Sequence, residues 1–79
     1  MISGTVANYD GKKGYGYISP EGGGKNIYVN IKEVDRAYVS RLAVGQRLTF
    51  EIKIDHFGRS SAVRLKLFPK NDKHLKRGL

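Results

Sequence analysis

The sequence has no cysteine, no apolar stretch near the ~18 residues of a membrane span, only two histidines, and seven acidic residues against fifteen basic ones. Without cysteine there is neither a disulfide framework nor a thiolate metal site. His56 and His74 lie too far apart in sequence to suggest a ligand pair, so no metal and no cofactor are expected. Met1-Ile2-Ser3-Gly4-Thr5 lacks the charged and apolar regions of a signal peptide, and a soluble, cytoplasmic protein is the expectation. Catalytic machinery is also missing: no nucleophile, base and orienting group occur together. Glu33, Asp35, Glu51 and Asp55 accompany Lys32, Arg36 and Lys53 in a solvated pattern. Gly22–Gly24 is followed by Lys25 and then Asn26, without the lysine-hydroxyl pair of a phosphate loop, and no strand-helix-strand unit offers a dinucleotide site. A binding protein is expected, not an enzyme.

What is present is basic charge. The formal net charge is +8, which would attract nucleic acid, acidic lipid or acidic protein. Residues 64–79 hold six basic side chains against Asp72, a net +5, leaving +3 for residues 1–63. The body is only mildly basic, so any specific partner must be read from residue types and spacing.

Seventy-nine residues make one domain at most. Short alternating segments separated by glycine, asparagine and aspartate point to a small all-β barrel. Ile2 to Tyr9 alternates Ile2, Gly4 and Val6 with Ser3, Thr5, Ala7 and Tyr9. Asp10-Gly11 reads as a hairpin turn, Gly14 to Ser19 as a second strand and Asn26 to Asn30 as a third, joined by the loop Pro20 to Gly24. Lys32 to Val44 has loosely helical spacing without a strong cap, predicting a short helical turn and a loop. Gln46 to Ile54 alternates inward Leu48, Phe50 and Ile52 with polar residues; Asp55-His56-Phe57-Gly58 closes a hairpin. Ser60 to Leu67 follows, with Val63, Leu65 and Leu67 on one face. A barrel over residues 1–68 and a basic tail or linker over 69–79 are expected.

Tyr15 and Tyr17 share a face of the second strand, Tyr28 has the matching face of the third, and Tyr9 can join them from the first. Tyrosine favours strands anyway, so one such ring means little. Four together on a small protein call for a partner. Bases supply one, because each base stacked on an aromatic ring is worth ~1–3 kcal/mol. Lys12, Lys13, Lys25 and Lys32 lie where phosphates of a strand crossing the rings would pass. His56, in a hairpin loop, reads as a solvated side chain more readily than a ligand contact.

Lys13-Gly14-Tyr15-Gly16-Tyr17-Ile18 resembles the first ribonucleoprotein motif, and Ile27-Tyr28-Val29-Asn30-Ile31 resembles the second. In RNA-recognition-motif domains a helix separates the two and the glycine-bearing motif comes second. Here it comes first, with only a glycine-rich loop between, an order that resembles the cold-shock domain. Gly4-Thr5-Val6 and Leu42 to Phe50 are similar to other landmarks of that family, so the resemblance covers residues 3 to about 65. It implies an all-β, five-stranded antiparallel OB-fold barrel that stacks a single strand on strands one to three. It further implies that Tyr15, Tyr17 and Tyr28 match the stacking aromatics, Tyr9 another platform ring and Lys13 a basic entry, with Phe57 and Arg59 in a loop lining the groove.

The chain departs from the family's pattern at two places. Ala7-Asn8 stands where lysine-tryptophan is usual, and Asn30-Ile31 where histidine-phenylalanine is usual. Losing two stacks at about 1 kcal/mol each weakens binding roughly thirtyfold. The expected nucleic-acid surface is Asn8, Tyr9, Lys12, Lys13, Tyr15, Tyr17, Tyr28, Asn30, Phe57 and Arg59. Its expected partner is single-stranded RNA or DNA, bound with low sequence specificity by a monomer acting like an RNA chaperone. The competing expectation is an accessory OB domain of a larger protein that uses its tyrosine face for protein contacts.

Overall fold

Alternating apolar and polar residues form five strands and one short helix in the computed structural model, which describes residues 1–68. The strands are β1 (Ile2–Asp10), β2 (Tyr15–Pro20), β3 (Ile27–Asn30), β4 (Arg47–Ile54) and β5 (Ser60–Leu67), with α1 (Ile31–Arg36) after β3. The tail expected over 69–79 lies outside the described residues. The strands close into a barrel in the order β1-β2-β3-β5-β4. Four pairings are antiparallel as expected; β3 and β5 run parallel, Tyr28 beside Ser61 and Val29 beside Ala62. No helix among the described residues is long and apolar enough to cross a membrane.

Val6, Ile18, Val29, Val34, Leu42, Leu48, Phe50, Ala62 and Leu65 fill the interior. Burying a side chain such as Phe50 or Ile18 contributes about 1.5–3 kcal/mol, so these few residues dominate the stability of a chain this small. The tight coiling depends on Gly4, which lies between β2 and β4. A Cβ there would meet Ser19 O at 2.7 Å and Ile18 Cγ2 at 2.8 Å.

Two bulges change faces that simple alternation had assigned. In β1 the register passes from Val6 opposite Ile18 to Asn8 opposite Tyr17, leaving Ala7 as the extra residue. Beyond it Asn8 is exposed, while Tyr9 packs partly buried against the core, not on the outer face expected of it. In β5 the register passes from Lys66 opposite Thr49 to Val63 opposite Glu51, and Arg64 adopts a φ of 54°. Its N–H donates to Glu33 Oε1 at 3.3 Å. Ala62 and Leu65 therefore turn inward and Val63 outward, correcting the shared face expected for Val63, Leu65 and Leu67. Ile52, expected inside, is 41% exposed because β1 covers β4 only as far as Ile2 opposite Phe50.

The connections are built on side-chain oxygens. Asp10 Oδ1 accepts from the N–H groups of Lys12 (2.9 Å) and Lys13 (3.2 Å), so the turn runs over Gly11–Gly14 and is longer than the Asp10-Gly11 hairpin expected. Gly14 sits at φ 84°, outside the strand it was expected to begin. The expected helical turn is present, and it has the cap that sequence spacing did not reveal: Asn30 Oδ1 accepts from Lys32 N at 2.9 Å.

Candidate nucleic-acid interface

Period-two alternation in β2 and β3 puts Tyr15, Tyr17 and Tyr28 on the outer face, and the register sets Tyr17 opposite Tyr28 and Tyr15 opposite Asn30. Tyr15 and Tyr28 stack with centroids 5.8 Å apart and planes 29° from parallel. Tyr17 meets Tyr15 and Tyr28 edge-on, each at 6.1 Å. Such pairs contribute about 0.5–1.5 kcal/mol beyond area burial, so the rings are held in place before any ligand arrives. Asn8 stands exposed beside Tyr17, the position from which a fourth side chain reaches the platform.

Tyr9 is placed apart from these rings. Its Cδ1 lies 2.8 Å from where a Cβ on Gly16 would be, on the barrel's inner side. Its hydroxyl is buried and has no hydrogen-bond partner among the described residues. Burial pushes this phenol above its ordinary value of 10.0; nearby Asp35 adds to the effect and Arg41 opposes it.

Beside Tyr17 and Tyr28 opens a groove of about 510 Å³, walled on its other side by Asp55, Arg59, Ser60 and Ser61. Asp55 organises that wall. Its Oδ1 accepts from Phe57 N at 2.8 Å and Arg59 N at 2.9 Å, and Oδ2 pairs with Arg59 Nε at 3.2 Å. The backbone N–H of Arg59 is the main reason the Asp55 carboxyl is held below its usual 3.8. The Arg59 guanidinium lies 5.2 Å from the centroid of the Phe57 ring, which is itself exposed. A cation and a ring are thus presented together at the groove's rim. Lys12 and Lys13 are exposed at the β1–β2 turn, and the ion pairs among the described residues all use arginine.

Of the residues expected to bind, Tyr15, Tyr17 and Tyr28 form one cluster, Asn8 and Asn30 flank it, Arg59 lines the groove with Phe57 beside it, and Lys12 and Lys13 sit exposed in the β1–β2 turn. Sequence reasoning missed Ser61 and Asn26, which also line the groove. Ser61 reaches it through the parallel β3–β5 pairing, which no local pattern announces. No cluster of three histidine or acidic side chains suited to a metal ion occurs among the described residues.

An exposed cluster of aromatic rings with cations nearby can stack unpaired bases on its ring faces and hold phosphates along its margins. Comparison with known proteins agrees with this chemistry. Residues 2–67 match the family described as the 'Cold-shock' DNA-binding domain. The chain is 39% identical over 67 residues to Cold shock protein CspA of Rhizobium meliloti, covering 84% of this chain and 97% of that protein. It is 38% identical over 61 residues to Cold shock-like protein CspE of Escherichia coli K12, covering 77% and 88%. Cold shock protein ScoF of Streptomyces coelicolor matches at 35% over 52 residues, covering 66% and 78%.

Proposed function

The chain belongs to the cold-shock DNA-binding domain family, and from that premise we propose that it binds single-stranded RNA or DNA as a monomer with little sequence preference. The observation that carries the reading is the cluster of Tyr15, Tyr17 and Tyr28 on one outer face, 5.8–6.1 Å apart and beside an open groove. Stacking tolerates any base, since every base has a π-face, and a duplex keeps its faces covered. Binding then disfavours base-paired structure by mass action, which is RNA-chaperone behaviour without catalysis. Asn8, Lys12, Lys13, Asn30, Phe57 and Arg59 complete the proposed surface, and Tyr9 supports it from inside the barrel.

The test is an anisotropy titration of the full chain with labelled oligonucleotides, single-stranded and duplex, at two salt concentrations. Single strands should bind more tightly than duplex, with log K falling linearly in log salt. Tyr15→Ala should cost about 1–3 kcal/mol of that affinity. Equal affinity for duplex and single strand, or a Tyr15→Ala variant that binds like the parent, refutes the reading. A folded chain that binds neither leaves the tyrosine face to protein contacts.

A further inference from the structure

Asn30 ends β3 and begins α1, and both ends of its side-chain amide are engaged. Oδ1 accepts from the Lys32 backbone N–H at 2.9 Å, and Nδ2 lies 3.0 Å from the Tyr28 hydroxyl oxygen. The first bond decides the second. A backbone N–H can only donate, so the amide oxygen must face Lys32 and the NH2 group must face Tyr28. The Tyr28 hydroxyl is thereby an acceptor toward Asn30. Its own proton meets no acceptor among the described residues. A phenol has one proton to give, and this one is left for whatever lies on the platform.

We propose that Asn30 is a positioning residue that sets the Tyr28 hydroxyl as a hydrogen-bond donor to an oxygen of the bound strand, either a base carbonyl or a phosphate oxygen. The proposal rests on the nucleic-acid reading and adds to it a directed polar interaction on a surface otherwise tolerant of any base. The ring has the fixed orientation such an interaction needs, because Tyr28 is stacked against Tyr15 and edge-on to Tyr17. Asn30 is itself anchored through the helix cap, and the N–H of its neighbour Ile31 donates to Gly14 O at 2.9 Å. The donor therefore points from a braced support, which lowers the ordering cost of using it.

Short oligo-dT and oligo-dA are titrated into the full chain, Tyr28→Phe, Asn30→Asp and the double variant, with unfolding of each followed in parallel. Tyr28→Phe keeps the ring and removes the proton, and should lose about three- to tenfold in affinity. Asn30→Asp keeps the cap, since aspartate caps helices as well as asparagine, but its second oxygen takes the hydroxyl proton. Its added charge repels phosphates equally in both backgrounds and so cancels in the cycle. The loss it causes should therefore be about three- to tenfold smaller when Tyr28 is already Phe. Asn30→Ser, which caps but is too short to hold the phenol, gives a second route should Asn30→Asp fold poorly, with the same non-additivity expected. A Tyr28→Phe loss seen equally on both oligonucleotides assigns a phosphate oxygen, and one confined to oligo-dT assigns a base carbonyl. An additive cycle, or Tyr28→Phe binding like the parent while Tyr15→Ala is impaired, overturns this proposal and leaves the platform standing. Absence of binding by the parent overturns both.

Discussion

Asn8→Trp places a ring at the position on β1 that lies directly opposite Tyr17. The bulge at Ala7 sets Asn8 opposite Tyr17 and leaves it exposed, so an indole there projects outward beside the Tyr17 ring and meets no core atom. A cross-strand aromatic pair contributes roughly 0.2–1 kcal/mol, so folding stability should hold or rise slightly. One further stacked base is worth ~1–3 kcal/mol, and at 1.4 kcal/mol per factor of ten the affinity for a single strand should improve by about five- to 150-fold. The chain has no tryptophan of its own, so the indole is its sole fluorophore of that kind. Its emission should quench in step with an anisotropy titration of the same oligonucleotide. Two results refute separate steps of the reasoning. A variant destabilised by the ~1–3 kcal/mol typical of overpacking would mean that residue 8 faces the core. A folded variant whose emission and affinity are unchanged at saturating oligonucleotide would mean that no base passes over β1.

Tyr9→Phe should stabilise the barrel by about 1 kcal/mol, because it removes a buried hydroxyl that has no partner among the described residues, as chemical denaturation would show. It should also weaken the parent's alkaline instability: the unfolded phenol ionises near 10.0 and the folded one higher, so its contribution is complete below pH 10 and is lost as pH rises through the folded value. Gly16→Ala should destabilise by about 1–3 kcal/mol, since its Cβ would fall 2.8 Å from the Tyr9 Cα and ring; a fall in melting temperature checks this. The Asp55 carboxyl should titrate below 3.8 by NMR, with its hydrogen bonds to Phe57 and Arg59 intact above that value and broken as pH falls through the lower folded one. Removing residues 70–79 takes away four basic side chains and one acidic one, and should flatten the salt dependence by ~0.7 in log-log slope for each phosphate no longer neutralised, with base preference unchanged.

The barrel was legible because its strands obey period two over most of their length, with turn residues between them. Leu48 and Phe50 in β4, Ile18 in β2 and Val29 in β3 are buried where alternation puts them. Legibility fails where the period breaks. Nothing in Val6-Ala7-Asn8-Tyr9 or Val63-Arg64-Leu65 marks a bulge, because a bulge answers to the partner strand and to closure, both of them remote in sequence. Asn30 went unread as a cap for a different reason: its residue type is a strong cap, but β3 claims it up to the point where α1 begins.

The β1 bulge also decides what kind of surface the tyrosines make. Unbroken alternation in β1 would have put four rings outside and left the space at Gly16, beside the buried Ile18 and Val29, without a side chain. With Ala7 bulged, Tyr9 crosses to the inner side, where its ring occupies the space that the missing Gly16 side chain leaves. Gly16 and Tyr9 are therefore one packing unit, and Tyr15 and Tyr17 flank that glycine on the outer face of the same strand. The outer cluster has three rings, with an amide at residue 8 and another at residue 30 bounding it on either side. Each amide replaces a position where stacking surface would otherwise continue, so the platform trades stacked area for polar groups at its edges. At Asn30 that polar group is tied to a ring by a 3.0 Å hydrogen bond, whereas at Asn8 it is exposed beside Tyr17. An apolar substitution is therefore expected to raise affinity at residue 8 and to remove a directed hydrogen bond at residue 30, though both residues are asparagine on the same face.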